Sequence, residues 1–336
     1  MKSPFKFLDS FLKEDKAIFF GRERETEELY QKIFESKILL VYGISGTGKT
    51  SLINCGLANK FNDSDWLPVS VRRGGDINES LLKAIGKHLV TEVGSGKSAV
   101  GSDASANQLP ATDYRLPTDE PDRPKNAIPP HPVKPLRKLL KNLYLDHFKP
   151  IYLIFDQFEE LFIFGTEAEK DEFVQTIKKI VESDLQVKFL FVIREEYLAG
   201  VTEFERHIPE ILENRIRIEK MRRTNAVQCI EGPCRVAGIA VEEGFSDALL
   251  DKLSPGSAEV ELTYLQVFLD KIYRTADPQG HLTKGTALRI GESAEYGDLA
   301  GRTASESLKT VIPSEAGGSF ASPRMTFSDS LLSQTG

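Results

Sequence analysis

The segment Ile38–Thr50, with the sequence ILLVYGISGTGKT, decides the fold. It is a short apolar strand that runs directly into G-x-x-x-x-G-K-T, the phosphate-binding loop pattern, in the strand–loop–helix setting that the pattern requires. Its glycines permit backbone torsions closed to other residues and let the main chain approach a phosphate. The row of backbone N–H groups and the start of the following helix both attract anions. The segment therefore predicts a nucleotide site.

The residue types of this loop predict how a nucleotide is held. Lys49 can reach the β- and γ-phosphates, and the Thr50 hydroxyl can bind Mg²⁺. We therefore predict ATP and Mg²⁺ as cofactors, with ATP and ADP as the small-molecule partners. The residues predicted to surround the nucleotide are Gly43, Ile44, Ser45, Gly46, Thr47, Gly48, Lys49, Thr50 and Ser51.

The composition is that of an ordinary globular protein. Its 336 residues, 40% hydrophobic and 28% charged, suffice for one or two domains. A net charge of −7 argues against a broad nucleic-acid surface, so nucleic acid is not an expected partner. Three cysteines are too few for a zinc site or a disulfide framework, which indicates a reducing cytoplasm. The five histidines form no ligand cluster.

No membrane association is expected from the chain. Residues 1–16 break every apolar run with a charge, which argues against a signal peptide. No segment approaches the roughly 20 apolar residues that a membrane span requires. A cytoplasmic location is the resulting prediction.

Apolar runs alternate with helical periodicity along most of the chain. Besides the strand that opens the loop, the predicted strands are residues 66–71, 151–155, 188–193 and 215–218, the last near a sheet edge. The predicted helices among them are residues 22–36, one capped by Asn78, one starting at Pro135, and residues 167–183. Such alternation predicts an α/β fold, a P-loop NTPase parallel sheet flanked by helices. From Thr224 the pattern is helical, which predicts a small helical lid domain.

The predicted domains follow from these patterns. They are a lead-in segment (1–20), a P-loop NTPase domain (21–223), a helical lid (224–274) and a disordered or truncated tail (275–336). Within the NTPase domain, residues 91–135 are rich in Gly, Ser and then Pro, which predicts a flexible insert. The insert contains Gly94–Ser98 (GSGKS), which resembles the end of a phosphate loop. No strand precedes it, so we reject it as a second nucleotide site.

The carboxylates that follow the strand 151–155 are the candidates for chemistry. Asp156 is predicted to hold Mg²⁺, directly or through a water, opposite Thr50. The alternative is a surface acid at a strand end. Hydrolysis also needs a carboxylate that orients or deprotonates the attacking water. Glu159 or Glu160 is the predicted catalytic group, and a solvated turn is the alternative.

Arginines end two of the predicted strands. If the strand that ends at Arg194 neighbours the first strand, its guanidinium lies beside the γ-phosphate and can sense that phosphate. The alternative is an ion pair with Glu195 or Glu196. Arg72 and Arg73 follow the second strand and are predicted to be surface charges.

Two aromatic residues, Phe19 and Phe20, precede the first helix. One hypothesis is that they anchor this helix through hydrophobic contacts. The other is that they form a wall that faces the adenine of the nucleotide. The sequence leaves both hypotheses open.

Several motifs occur in a characteristic order. They are Phe20-Gly21-Arg22-Glu23-x-Glu25, the loop GISGTGKT, DQFEEL at 156–161, a strand that ends in Arg194, IEGP at 230–233 and LTYLQ at 262–266. This set, over roughly residues 4 to 274, resembles the STAND class of signalling ATPases and in particular its bacterial novel-STAND branch. The last two motifs resemble that family's lid segment and helical part.

The resemblance implies ATP held between the sheet domain and a helical lid, with slow hydrolysis that acts as a timer. Members are typically switches in which a sensor detects a ligand, the ATP-bound form self-oligomerises and an effector acts; some serve in defence against phage. Unknown sensor or effector proteins are thus implied partners. The spacing of Asp156, Glu159 and Glu160 is similar to the Asp-Gly-x-Asp-Glu form of the related NACHT group, which supports the two glutamates as the catalytic pair.

The chain departs from that family pattern. We find no effector ahead of Phe5, no sensor repeats after Tyr273 and no recognisable winged helix, which suggests a truncated or frameshifted chain. A nucleotide-binding module without hydrolysis is one alternative function. A AAA-type motor is another, with Arg206, Arg222 or Arg223 as the arginine supplied to a neighbouring subunit. A small-molecule kinase is disfavoured because no acceptor site is recognisable.

Overall fold

A computed structural model describes residues 3–90, 133–275 and 282–283. Its five-stranded sheet has the order β2-β3-β4-β1-β5, and all neighbouring strands are parallel. The strands are β1 (Ile38–Gly43), β2 (Leu67–Val71), β3 (Ile151–Phe155), β4 (Val187–Arg194) and β5 (Arg215–Arg217). The predicted parallel α/β sheet is confirmed, with β5 at an edge as its alternating pattern indicates.

Helices connect these strands and continue beyond them. They are α1 (Glu23–Glu35), α2 (Lys49–Ser51), α3 (Ile77–Val90), α4 (Val133–His147), α5 (Glu160–Phe164), α6 (Glu167–Val181), α7 (Leu198–Glu205), α8 (Arg223–Ala237), α9 (Phe245–Leu253) and α10 (Leu262–Thr275). The path of α2 continues through a π-helical segment (Leu52–Gly56) and a 3-10 turn (Leu57–Asn59). Two short strands, β6 (Met221–Arg222) and β7 (Glu259–Val260), form an antiparallel pair on either side of α8 and α9 in the sequence.

The sheet is buried on both faces because its central strands are apolar throughout. All five residues of β3 are buried. On one face, α3, α4, α6 and α7 pack over a core that includes the ring cluster of Phe155, Phe158, Phe173 and Phe191. On the other face, α1 and the segment after the phosphate loop cover β1 and β4. Because all five strands are parallel, their carboxyl ends lie on the same side of the sheet, where ligands of such folds bind.

Helices α8, α9 and α10, with β6 and β7, have a separate apolar core and are called the helical cluster here. Ile230, Leu249 and Ile272 are fully buried in it. Leu282 belongs to the same core, and its main chain bridges Val241. This residue lies within the predicted disordered tail, so at this position the chain is packed because its apolar side chain completes the core.

Some local predictions differ from the structure. Asp76, not Asn78, caps α3, because its carboxylate accepts the N–H groups of Asn78 and Glu79. Helix α4 begins at Val133, two residues ahead of the predicted start. Most of the predicted insert (91–135) and of the tail (275–336) lies outside the described residues. Within the described part of the chain, no helix is long and apolar enough to cross a membrane.

Candidate nucleotide site

The phosphate loop joins β1 to α2 and depends on its glycines. A Cβ at Gly43 would lie 2.3 Å from the carbonyl oxygen of Ile218, so no larger residue fits there. Gly48 begins α2 with φ of +83°, a left-handed conformation that favours glycine. The hydroxyl of Thr47 donates to the Ile44 carbonyl and closes the loop from inside. The loop is thus shaped by main-chain proximity, as the sequence pattern predicts.

Lys49 lies folded into this loop. Its Nζ donates to the carbonyls of Gly43 at 2.7 Å and Ile44 at 2.8 Å. Burial lowers the pKa of the Lys49 ammonium, and the nearby Glu159 carboxylate partly offsets that effect. The ammonium is therefore a partly desolvated positive charge at the loop, suited to a phosphate. Ser51, by contrast, is tied to the lead-in segment, because its hydroxyl accepts the N–H of Phe11.

Asp156 meets Thr50 directly, as predicted. The Thr50 hydroxyl donates to Asp156 Oδ1 at 3.0 Å, and the Asp156 side chain is about nine-tenths buried. Hydroxyl and carboxylate oxygens are ligands that Mg²⁺ accepts, and Mg²⁺ is usually held by one or two carboxylates plus substrate phosphates. The paired oxygens beside the loop fit such an ion, and Thr50 and Asp156 would be its protein ligands.

The turn after Asp156 explains where the two glutamates lie. Gln157 has φ of +57°, which reverses the chain at the position where the NACHT form has glycine. Phe158 then enters the aromatic core, and its N–H donates to the Val192 carbonyl of β4. This turn places Glu159 beside the end of β4. Glu160 follows as the first residue of α5.

Glu159 and Arg194 form an ion pair across the two strand ends. Strand β4 pairs with β1 so that Arg194 stands opposite Gly43, which meets the condition on which the predicted position of Arg194 depended. Arg194 Nε lies 3.0 Å from Glu159 Oε1, and the Arg194 N–H donates to Oε2 at 3.2 Å. The alternative prediction of an ion pair between Arg194 and Glu195 is wrong, because Glu195 pairs with Arg217 instead.

Arg72 is exposed, as predicted, but it also forms an ion pair, and the prediction is wrong for Arg73, whose side chain is largely buried. Arg72 donates from Nε and Nη2 to Asp156 Oδ2 at 3.2 and 2.7 Å. Arg73 donates to both oxygens of the buried Glu169. The sequence prediction missed these contacts, although β2 and β3 were both predicted strands of one parallel sheet, whose ends meet at one edge.

Burial raises the pKa of Glu160, and the Glu159 charge raises it further.

Arg22 is a further functional candidate. The sequence prediction included it only within the motif that runs from Phe20 to Glu25. Its side chain is buried, and Nη2 donates to the carbonyls of Thr47 and Glu219, both at 2.9 Å. Its Nη1 pairs with Glu25. Arg22 therefore holds the phosphate loop against the chain that leaves β5.

The residues just before Arg22 bind the helical cluster. The Gly21 carbonyl accepts from Asn225 Nδ2 at 3.0 Å, and a Cβ at Gly21 would lie 2.6 Å from the Asn225 carbonyl oxygen. The Phe20 ring packs against Gly232 of α8, while Phe19 packs on Phe11. Phe19 also packs against the core to which α1 contributes, as the anchoring hypothesis expects, whereas Phe20 anchors α8 instead.

Helix α10 also reaches the phosphate loop. A Cβ at Gly46 would lie 2.8 Å from Thr263 Oγ1 and 3.2 Å from Glu261 Oε1, and one at Gly48 would lie 3.4 Å from Leu262. Arg223, a candidate for the motor's arginine, instead pairs within the helical cluster, with Asp247 and Asp251. The candidates Arg206 and Arg222 are exposed. The cluster thus contacts the loop directly through α10, whereas α8 contacts the residues beside Arg22, which in turn binds the loop.

Comparisons with known proteins agree with this geometry. A family model described as novel STAND NTPase 1 matches residues 4–306. A Walker-type ATPase of Pyrococcus abyssi superposes with a TM-score of 0.56 at 14% identity, over 91% of this chain and 80% of that one. The ORC2 protein of Aeropyrum pernix, solved as ADPNP–ADP complexes, gives 0.54 at 15% identity, over 87% and 77%.

A third solved structure is the ORC1 protein of Aeropyrum pernix in complex with DNA, with a TM-score of 0.52 at 13% identity, over 89% of this chain and 70% of that one. At these identities the likenesses show the fold alone. The comparison with curated proteins gave no match. The match over residues 4–306 is what identifies the chain: it belongs to the novel STAND NTPase 1 family and is a nucleotide-binding P-loop NTPase.

Proposed function

We propose that the chain is an ATP-binding and slowly hydrolysing switch, in which the helical cluster responds to the phosphates on the loop. The observation that carries this proposal is the link between the cluster and the loop, which is direct through α10 and indirect through α8. Asn225 of α8 binds the Gly21 carbonyl next to Arg22, and Arg22 binds the Thr47 carbonyl. Thr263 of α10 lies against Gly46. A phosphate that moves the loop therefore changes contacts of the cluster.

Binding rests on the loop N–H groups and on Lys49, with Mg²⁺ held by Thr50 and Asp156. When bound there, Mg²⁺ would neutralise negative charge on the nucleotide phosphates. Arg194, opposite Gly43, is placed to reach the terminal phosphate, and its partner Glu159 is then released or shared. ATP and ADP would differ at this arginine.

Glu159 is our choice for the group that positions the water. Its charge raises the pKa of the Lys49 ammonium more than the charges of Glu196 and Asp156 do, which supports a role beside the phosphates. Glu160 instead lies within the influence of Arg72 and Arg73. The ion pair also favours the alternative function, a module that binds nucleotide without hydrolysing it, because Arg194 engages both carboxylate oxygens of Glu159.

A turnover assay separates the two functions. We expect the unmodified protein to release phosphate from ATP slowly, Glu159→Gln to stop release while retaining ATP, and Glu160→Gln to slow it less. Lys49→Ala is the background control. Phosphate release by the unmodified protein no faster than by Lys49→Ala would leave only the binding module.

The family resemblance adds a wider role to this proposal. It implies self-oligomerisation in the ATP state, an unknown sensor or effector partner in the cytoplasm, and service in defence against phage. A nucleotide-dependent change in mass, measured by light scattering with ATP analogue and with ADP, tests the first of these. A uniform monomer in both states would contradict it.

A further inference from the structure

The metal-binding carboxylate is already engaged on both of its oxygens. Asp156 Oδ1 accepts the Thr50 hydroxyl at 3.0 Å. Asp156 Oδ2 accepts two N–H groups of Arg72, at 3.2 and 2.7 Å. The sequence prediction assigned no role at this site to Arg72.

The fold fixes this pair. Val71 stands opposite Phe155 in the parallel β2–β3 ladder, and the Asp156 N–H donates to the Val71 carbonyl at 3.0 Å. Arg72 and Asp156 are therefore adjacent as the next residues of neighbouring strands. The side chains differ in freedom, because that of Asp156 is 10% exposed and that of Arg72 is 58% exposed. The arginine can leave, whereas the carboxylate stays.

A guanidinium and a magnesium ion compete for this carboxylate. Arginine keeps its charge at every working pH and presents two parallel donors to a carboxylate. Mg²⁺ requires near-octahedral oxygen ligands at about 2.0–2.1 Å, and a carboxylate that already accepts from Thr50 on Oδ1 and from Arg72 on Oδ2 is a weaker ligand for it. The like charges also repel each other.

We propose, on the basis of the nucleotide site assigned above, that Arg72 prevents Mg²⁺ from binding at Asp156 before the nucleotide does. The Arg72 guanidinium binds the Asp156 carboxylate in place of a metal cation. Mg²⁺ therefore binds only when it arrives with nucleotide phosphates, which supply further ligands. Arg72 then moves into solvent. Arg72 thereby sets the Mg²⁺ concentration at which nucleotide binding tightens, and it keeps the free metal ion out of the site.

The test is ADP affinity, measured by calorimetry with EDTA and along a Mg²⁺ titration. We expect Arg72→Gln to lower the Mg²⁺ concentration for half-maximal tightening about tenfold, the size expected for a charged, partly exposed hydrogen-bonded pair. Affinity in EDTA should not change. Arg72→Lys, which keeps the charge but loses the two parallel donors, should give a smaller shift. Arg24→Gln removes an exposed charge on α1 and should match the unmodified protein.

A second measurement uses Mn²⁺ without nucleotide, followed by its electron paramagnetic resonance signal. Free Mn²⁺ should bind to Arg72→Gln and not to the unmodified protein. An unchanged or raised Mg²⁺ midpoint in both Arg72 variants, or equal Mn²⁺ binding, overturns the proposal. Failure of the nucleotide site itself looks different, because ADP would then bind the Lys49→Ala variant as well as the unmodified protein in every metal condition.

Discussion

The two ends of the same strands differ sharply in chemistry. At the carboxyl end, Arg72 pairs with Asp156 and Arg194 pairs with Glu159, and Gln157 has a left-handed backbone. At the amino end, the rings of Phe61, Trp66 and Tyr152 pack together in an aromatic end cluster, with the Phe61 and Trp66 centroids 4.5 Å apart. The carboxyl end carries charged side chains and a strained backbone where a ligand can bind, whereas the amino end contributes hydrophobic packing. Variants at the two ends should therefore separate binding from stability.

The largest effect is expected from Lys49→Ala at the carboxyl end. Loss of its charged phosphate contacts should weaken ATP binding by about a hundredfold or more, measured by calorimetry. The free energy of unfolding should stay the same, because Lys49 contributes no apolar core. Lys83→Ala, an exposed charge on α3, is the matched control. ATP affinity equal to that of the unmodified protein would contradict the assignment of the loop.

The next effect is the reverse, from Trp66→Ala at the amino end. Trp66 is buried against Phe61 and Tyr152, so its removal should lower the free energy of unfolding by about 3 kcal/mol, as for other large-to-small core changes. Denaturant unfolding measures this loss. ATP affinity of the folded variant should not change. A large loss of affinity would show that the two ends are not independent.

Most of the fold follows from the sequence, and so does the loop chemistry. Apolar runs placed β1, β3 and β4 correctly because parallel strands must be apolar on both faces. The contact of Thr50 with Asp156 follows from the same pattern. The ion pairs of Arg72 and Arg194 could not be predicted from the sequence. The partner that each arginine binds depends on the strand order and on the turn at Gln157, and residue spacing encodes neither.

The smallest effect concerns Glu160. Burial and Glu159 raise the pKa of Glu160 in the folded protein, so ionisation of this carboxyl opposes folding, and stability falls as pH rises through the shifted pKa. Glu160→Gln should therefore raise the melting temperature slightly near pH 7. The gain should vanish below about pH 4, where the carboxyl is protonated in both states. Glu28→Gln, an exposed residue of α1, should show no such gain. A gain that persists at low pH would contradict this cause.

The most direct measurement of the switch compares hydrogen exchange in residues 225–274 with an ATP analogue and with ADP. A ligand shifts a two-state equilibrium only through differential contact, and the γ-phosphate offers Arg194 a contact that ADP lacks. Exchange in the helical cluster should therefore differ between the two complexes. Arg194→Ala should erase that difference while most of the binding remains. Equal protection by both nucleotides in the unmodified protein would contradict the switch and leave a static binding module.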